Sequence, residues 1–365
     1  MLSMLSSVPM AYGQAGYKAA TRNPKEPIMN RLLVIGVASI DRLHLPERTV
    51  EPAGGAGMYT AMAARRCGAQ VALFGPRPDP CPERLKPVAG RLTEWLGPVV
   101  PLAQLPRFEI SYRQGRTEYL QASLGVQVMG SPTMLPTDLS KFDHVHVCAL
   151  AANANLQLSF VDACRQRGAV QISAGTSPVA VAENPQVVRA MMEQSDYLFM
   201  NDREAEAVFG SLEAARTEPD KVLYVTVGAQ GAYIIQGDTS TSIPAVSATV
   251  LDPTGAGGTF CGATLASLLQ QEHPIMAARR AGALAAEMIG QLGPAALLSE
   301  APPPEAPLDP RVQVDEGQVR QVAKTICTLS DVSPYPWIGP GLPPVGHPRA
   351  VDYYFAATLQ QFSFW

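Results

Sequence analysis

Short apolar runs alternate with segments of helical periodicity from residue 31 to about residue 293. The apolar runs predict strands at Arg31–Ile40, Gln70–Gly75, Asp143–Leu150, Ala169–Ala174, Tyr197–Met200, Lys221–Thr226 and Ala232–Gln236. The periodic segments predict helices within Glu51–Gly68, at Leu156–Arg167, up to Phe209, within Leu251–Leu269 and at Ala277–Ile289. Because strands and helices alternate, we expect one doubly wound α/β domain with a mainly parallel sheet and helices on both faces.

One segment departs from this alternation. Phe108–Gln127 alternates apolar and polar residues and turns at Gln114–Gly115, which predicts a β-hairpin. The preceding residues 76–106 are rich in proline and break the regular pattern. We expect the inserted hairpin to form a small β lid.

Two glycine-rich turns lead into predicted helices. Gly255, Ala256, Gly257 and Gly258 follow a polar turn, and backbone amides at a helix N-terminus form a place to hold phosphate. The alternative is an ordinary glycine turn before a core helix. The pair Gly54–Gly55 opens the helix within Glu51–Gly68, where it allows either close substrate approach or tight helix packing.

Polar residues follow several predicted strands. Asp41 stands where open α/β sheets place ligand contacts, although a loop or capping aspartate fits equally well. Asn201 and Glu204 suit a hydrated Mg²⁺ ion, but Asn-x-x-Glu also forms a helix capping box. His144 and His146 alternate along their strand and fit strand-face positions better than metal ligation.

Composition narrows the functional classes. Among 365 residues, 47% are hydrophobic and 16% are charged, which is typical of a soluble globular protein. The net charge of −4 gives no electrostatic case for binding nucleic acid or an anionic membrane, and no apolar run has membrane-spanning length. Six scattered cysteines without metal-ligand spacing indicate buried free thiols and a reducing cytoplasm.

Both ends of the chain differ from its middle. Residues 1–30 are predicted to be a disordered tail, and translation begins either at Met1 or at Met29. Residues 301–312 predict a proline-rich linker after a domain spanning 31–300. The remaining 313–365 predict helical and aromatic segments, either docking on the domain or beginning a truncated second one.

The motifs together resemble those of the ribokinase-like, or PfkB, family of carbohydrate and nucleoside kinases. The resemblance covers about residues 31–298 and rests on five segments in family order. These segments are VIGVASID at 34–41, the glycine-led helix at 54–68, NDREAEAVFG at 201–210, VTVGAQGA at 225–232 and DPTGAGGTFCGA at 252–263.

The resemblance implies ATP and Mg²⁺ as cofactors and a sugar or nucleoside hydroxyl as acceptor. Asp41, Gly54 and Gly55 would contact the acceptor, whereas Asn201 and Glu204 would position Mg²⁺, through water. Thr226, Gly228 and Gly231 would lie along the nucleotide. Gly255, Ala256 and Gly257 would form the anion hole, and the hairpin would be a lid that can pair between subunits of a homodimer.

Two positions depart from the family pattern. Gly258 stands where the family has the aspartate that takes the proton from the acceptor hydroxyl, and loss of a general base costs about 10²–10⁴ in rate. Ser173-Ala174-Gly175 stands where family members often carry an aspartate. The sequence therefore supports two hypotheses, an impaired kinase and an inactive kinase fold that binds a ligand or partner.

The C-terminal tail resembles the early part of the queuosine-salvage nucleotide glycosidase family, whose aromatic run also ends near FSFW. This resemblance covers about fifty residues. It implies a third hypothesis, in which the chain is the kinase half of a truncated fusion with a glycosidase that is fused or separate. An aromatic helix docking on the kinase-like domain is the alternative.

Overall fold

The computed structural model describes residues 30–45, 47–113, 116–123, 130–150 and 153–306. The predicted N-terminal tail through residue 29, the hairpin turn at 114–115 and the whole segment 313–365 lie outside the described residues. The resemblance of the C-terminal tail to the glycosidase family therefore stays a prediction. None of the described helices has the length and apolar content needed to cross a membrane.

The strands of the described residues are numbered in chain order. They are β1 (Arg31–Ile35), β2 (Ser39–Ile40), β3 (Arg42–His44), β4 (Thr49–Val50), β5 (Ala53–Gly54), β6 (Gln70–Phe74), β7 (Arg77–Pro78), β8 (Glu94–Leu96), β9 (Val99–Val100), β10 (Arg107–Arg113), β11 (Arg116–Ser123), β12 (His144–Val147), β13 (Ile172–Gly175), β14 (Tyr197–Asn201), β15 (Val222–Thr226), β16 (Ala232–Gln236) and β17 (Thr239–Ile243).

The helices are numbered in the same way. The α-helices are α1 (Ala56–Arg66), α2 (Lys86–Ala89), α3 (Ala154–Gln166), α4 (Pro178–Glu183), α5 (Pro185–Gln194), α6 (Asp202–Phe209), α7 (Ala256–Leu269) and α8 (Pro274–Ile289), with short 3₁₀ turns at Leu102–Gln104, Pro132–Met134 and Gly228–Gln230.

A nine-stranded sheet carries the fold, in the order β17-β16-β15-β14-β13-β12-β1-β6-β8. All neighbours from β15 to β8 are parallel, and β16 and β17 add an antiparallel edge. Strand order reverses between β1 and β12, because the chain runs from β1 to β6 on one side and from β12 to β15 on the other. Open α/β sheets bind ligands beyond the carboxyl ends of strands at such a switch point.

Apolar residues fill both faces of this sheet. Along β1, Leu32 and Val34 belong to a core shared with α1, α7 and α8, whereas Leu33 and Ile35 belong to a second core with α3 and α5. This alternation follows from the two-residue period of a strand. The expected doubly wound, mainly parallel α/β architecture with helices on both faces is confirmed.

The lid is larger than the hairpin that the sequence predicts. β10 and β11 pair as expected, with a register shift between Glu109 and Ile110. β10 also pairs in parallel with β3, and β3 pairs with β4, so the lid sheet has four strands drawn from two parts of the chain. The segment after Asp41 was missed because its strands have only two or three residues. Pairing of two lids in a homodimer stays a prediction.

Several predicted boundaries are wrong for local reasons. The segment Arg31–Ile40, with Gly36 expected to mark the end of its strand, contains β1, which ends before Gly36, and the separate short strand β2; a Cβ on Gly36 would lie 2.8 Å from the Gly57 Cα. Helix α8 begins at Pro274 instead of Ala277, since proline is well tolerated in the first helical turn. The sequence analysis also missed α4 and α5, which each begin with a proline.

Candidate active site

Helix α7 begins in a turn built from glycine backbone. Gly255 caps the helix in the left-handed region, with φ 87°, where glycine pays no steric penalty. Asp252 holds the preceding turn: its two carboxyl oxygens accept hydrogen bonds from the backbone amides of Thr254 (2.9 Å) and Gly293 (2.8 Å). Asp252 is fully buried, and both of its carboxyl oxygens accept hydrogen bonds from the backbone. It therefore supports the turn and is poorly placed to act as a substitute base.

The first amides of α7 divide into paired and unpaired groups. Ala256 donates to the carbonyl of Pro253 (3.2 Å), and Thr259 donates to that of Gly255 (2.8 Å). Among the described residues, no acceptor pairs with the amides of Gly255, Gly257 or Gly258. Three unpaired amides at the start of a 14-residue helix can bind an anion. Among the residues predicted to form the anion hole, Ala256 has an amide that is already paired, so it does not offer a free donor to an anion.

The predicted acceptor residues Asp41, Gly54 and Gly55 lie together. β2 and β5 pair so that Ser39 opposes Gly54, and the Ser39 hydroxyl donates to the Asp41 carboxylate at 2.7 Å. The backbone amide of Phe108 donates to the same carboxylate at 3.3 Å, and the nearby Gly55 amide lowers the pKa of Asp41. A Cβ on Gly54 would lie 1.9 Å from Asp41 Oδ2, so only glycine allows this approach.

Burial dominates the chemistry of Asp41. Its side chain is 3% exposed, and desolvation raises the pKa of the carboxyl from 3.8 to about 6, against the opposing effect of its hydrogen bonds. The negative charge of Asp252 adds to the increase in the pKa. Asp41 is therefore a carboxylate that titrates close to neutral pH.

The acceptor cluster and the α7 turn are adjacent because α1 packs on α7. Tyr59 of α1, which the sequence analysis did not single out, contacts Gly255 and Gly258. The carbonyl of Pro52 accepts from the Asp41 amide (3.1 Å), and the side chain of Pro52 lies against Gly293, which binds Asp252. Only the tertiary fold shows this connection.

Asn201 and Glu204 form a complete capping box at the start of α6. Asn201 Oδ1 accepts from the Glu204 amide (2.9 Å), while the Asn201 amide (3.1 Å) and Nδ2 (2.8 Å) donate to the Glu204 carboxylate. The hydroxyl of Thr176 donates to Glu204 Oε2 at 2.5 Å. Burial raises the pKa of Glu204. The capping alternative is therefore present, and a role in holding Mg²⁺ stays a prediction.

The predicted nucleotide residues lie beside this capping box. Thr226 ends β15 directly opposite Asn201 on β14, and its hydroxyl donates to the carbonyl of Met200 at 3.4 Å. Gly228 opens a short 3₁₀ turn with space around it, and Gly231 packs against the carbonyl of Ile243. No hydrogen bond between described side chains joins this group to the α7 turn, although both stand at the carboxyl-end edge of the sheet.

The second departure from the family pattern has a structural partner. Ser173 Oγ lies 2.7 Å from His144 Nε2 and 2.8 Å from His146 Nδ1, and His146 Nε2 lies 3.5 Å from the Cys261 sulfur. Burial lowers the pKa of both histidines, so they are neutral near pH 7. No cluster of metal-ligating side chains occurs among the described residues. Ser173 thus satisfies two buried imidazoles below the site.

One open pocket of about 600 Å³ does not coincide with any predicted site residue. It belongs to the charged side of the lid and is lined by Arg42, His44, Thr49, Val50, Glu51 and Arg84. Arg42 pairs with Glu51 (2.8 Å), and His44 pairs with Glu109 (2.5 Å). We place the candidate chemistry at the α7 turn, because unpaired amides and a buried carboxylate meet there.

Part of the chain is similar in sequence to known kinases. Residues 131–301 match the model of the pfkB family carbohydrate kinases. A ribokinase from Lactococcus lactis is 36% identical over 91 residues, which cover 23% of this chain and 30% of that enzyme. A cytidine kinase from Thermococcus kodakarensis is 24% identical over 247 residues, which cover 64% of this chain and 87% of that enzyme.

A solved structure decides the fold. The ribokinase from Cryptococcus neoformans, in complex with ADP, superimposes with a TM-score of 0.59 at 19% identity, covering 72% of this chain and 94% of that one. The chain has a ribokinase-like fold.

Within this ribokinase-like fold, the residues fit phosphate better than they fit proton transfer. The unpaired amides of Gly255, Gly257 and Gly258 and the open space beside Gly257 suit a phosphate group. Glu204 and Asn201 supply oxygen atoms of the kind that hydrated Mg²⁺ prefers. Residue 258 supplies no base, since glycine has no side chain.

Proposed function

We propose that this chain is an ATP- and Mg²⁺-dependent kinase that phosphorylates a sugar or nucleoside hydroxyl, with a transfer step slowed by the glycine at 258. The observation that carries the proposal is the turn before α7, where three unpaired amides lie next to α1, the helix that follows the Gly54 backbone packed against Asp41. The ribokinase and cytidine kinase relatives support the acceptor class, and the ADP-bound fold relative supports the nucleotide.

Each part of the site has a separate role in this proposal. The amides of Gly255 and Gly257 stabilise negative charge on the transferred phosphate, and Asp41 orients the acceptor by accepting its hydroxyl hydrogen bonds. Thr226, Gly228 and Gly231 follow the nucleotide. Asn201 and Glu204 hold Mg²⁺ through water, and the ion supplies charge neutralisation on the phosphates when bound.

A second function is favoured by the surroundings of Gly258. Its nearest acid along the chain, Asp252, is buried and holds the turn through two backbone amides. Asp41 already accepts hydrogen bonds from the Ser39 hydroxyl and the Phe108 amide. In this second function the chain binds a phosphate-bearing ligand without turnover, because neither carboxylate stands in for the missing base.

The two functions separate in one experiment on the full chain. Calorimetry measures the binding of ATP with Mg²⁺, and radiolabelled ATP then measures transfer to ribose, cytidine and other sugars and nucleosides. Slow transfer, about 10²–10⁴ below that of an enzyme with a base, supports the kinase. ATP binding without transfer to any acceptor supports the binding protein. Absence of ATP binding overturns both functions.

A further inference from the structure

Tyr59 lies directly beneath the anion-binding turn. It is 2% exposed and stands one helical turn after the Gly55 cap of α1. A Cβ on Gly255 would lie 2.4 Å from the ring atoms Cδ1 and Cε1 of Tyr59 and 2.5 Å from Cγ. The aromatic ring therefore occupies the place where any side chain at residue 255 would go.

The same tyrosine also contacts the far end of the turn. A Cβ on Gly258 would lie 3.0 Å from the Tyr59 Cβ and 3.4 Å from both the Ala56 carbonyl oxygen and the Thr60 hydroxyl. The two 3.4 Å contacts are ordinary van der Waals contacts, but the 3.0 Å contact requires the Tyr59 Cβ and residue 258 to move apart by a few tenths of an ångström. The ring of Tyr59, wedged against Gly255, opposes that movement because close-packed interiors yield little.

We propose that Tyr59 is the positioning residue of the anion-binding turn and that it keeps residue 258 a glycine. The ring supports the backbone of Gly255, so that the unpaired amides of Gly255, Gly257 and Gly258 keep their positions at the start of α7. The missing base and the tyrosine are thus one coupled feature. An aspartate at 258 requires the Tyr59 backbone to shift away from α7, and the ring at 59, held against Gly255, resists that shift.

If Tyr59 and Gly258 are coupled, the effect of Gly258→Asp on the melting temperature should change sign when Tyr59 is replaced. An acidic residue in the first turn of a helix is stabilising, and replacing a helical glycine adds to the effect. With Tyr59 in place, Gly258→Asp is instead expected to lower the melting temperature by roughly 2–4 °C, because the packing strain exceeds both gains. In the Tyr59→Ala background the same substitution is expected to raise it. Gly258→Ala separates packing from charge and should follow the same inversion.

ATP affinity tests the positioning role, which rests on the proposed function. Tyr59→Ala is expected to weaken binding of ATP with Mg²⁺ at least about tenfold, and Tyr59→Phe should rescue it because the ring is kept. Met62→Ala is the matched control: Met62 is fully buried in the same helix, so its loss should lower the melting temperature without changing ATP affinity.

The outcomes are distinguishable. A stabilising Gly258→Asp in the wild-type background overturns the coupling, and a Phe variant as weak as Ala overturns the role of the ring. Unchanged ATP affinity in Tyr59→Ala overturns the positioning role. If the wild-type chain does not bind ATP, the proposed function fails, while the inversion of the melting temperatures still tests the Tyr59–Gly258 pair on its own.

Discussion

Two helices of this molecule begin with the same three residues and use them differently. Gly55-Ala56-Gly57 opens α1, and Gly255-Ala256-Gly257 opens α7. Each helix is capped by a glycine with positive φ, 91° at Gly55 and 87° at Gly255, and neither has a side-chain cap or an acidic residue in its first turn. The two N-termini therefore have the same local chemistry.

Their surroundings differ. At α1 the Asp41 carboxylate lies against the Gly54–Gly55 backbone, and the Met58 amide donates to the carbonyl of Val37 at 3.1 Å. At α7 the amides of Gly255, Gly257 and Gly258 have no acceptor among the described residues. The amides of Ala56 and Gly57 at α1 likewise have no acceptor among the described residues, so the difference lies in the acid: Asp41 stands beside the first N-terminus, whereas no carboxylate accepts from these three amides of the second. The glycine-capped helix start alone therefore does not determine what lies at its N-terminus; the rest of the fold does.

The largest expected effect is that of replacing Gly255, the N-cap of α7. Gly255→Ala places a methyl group 2.4 Å from the Tyr59 ring on a residue with φ 87°. We expect a loss of about 2–5 kcal/mol in the free energy of unfolding, measured with urea, and loss of ATP binding. A variant with wild-type stability and ATP affinity would show that the turn does not need this geometry.

The raised pKa of Asp41, the acid beside the N-terminus of α1, can be tested by measuring stability as a function of pH. Burial raises the pKa of Asp41 in the folded protein to about 6, above its ordinary value of 3.8, so its contribution to stability is complete below pH 3.8 and is lost as the pH rises through 6. The Asp41→Asn variant does not lose stability in this way, because asparagine does not titrate. The stability of the variant relative to wild type should therefore rise by about 3 kcal/mol between pH 3.5 and pH 7.

Urea unfolding of both proteins across this pH range gives the difference, in which the titration of all other groups cancels. Ser39→Ala serves as a control, because it removes a hydrogen bond to Asp41 but keeps the titrating carboxyl. A difference between Asp41→Asn and wild type that does not change with pH would contradict the raised pKa. It would also remove the argument that Asp41 changes charge near neutral pH.

Much of this comparison was accessible from the sequence, since both glycine turns and their helices were predicted. Local sequence specifies a glycine before an apolar helical pattern, and this pattern located α1 and α7. What occupies each turn depends on distant residues: Asp41 meets Gly54 through β-pairing, and Tyr59 meets Gly258 through helix packing. Such contacts have no short-range signature.

The other errors of the sequence analysis have the same origin. The lid strand β3 is only Arg42–His44, and it is a strand because β10 pairs with it. β17, with the polar sequence TSTSI, is an edge strand that carries little apolar signal. Long, apolar elements were predictable because burial shapes their sequence, whereas short elements depend on partners that the chain meets only when folded.

A smaller effect is expected at Gly54, whose backbone lies against the Asp41 carboxylate. Gly54→Ala would place a methyl group 1.9 Å from Asp41 Oδ2 and 2.5 Å from its Cγ, which forces the carboxylate from its place. We expect a loss of about 2 kcal/mol in the free energy of unfolding. In the Asp41→Ala background this loss should shrink by at least half, because the overlapping atoms are gone. An equal loss in both backgrounds would assign the cost to some other contact.

The smallest effect compares the second helical residue of each terminus. A methyl group on Gly257 meets no atom within 4 Å, whereas one on Gly57 would lie 2.6 Å from the carbonyl carbon of Gly36. Gly257→Ala should therefore stabilise the fold by up to about 1 kcal/mol, as alanine does in a helix, and Gly57→Ala should destabilise it. The same methyl group stands beside the unpaired Gly257 amide, so ATP with Mg²⁺ should bind a few-fold more weakly to the stabilised variant. Stability and affinity moving in opposite directions would place the phosphate at this amide, and a rise in both would mean that the phosphate binds elsewhere.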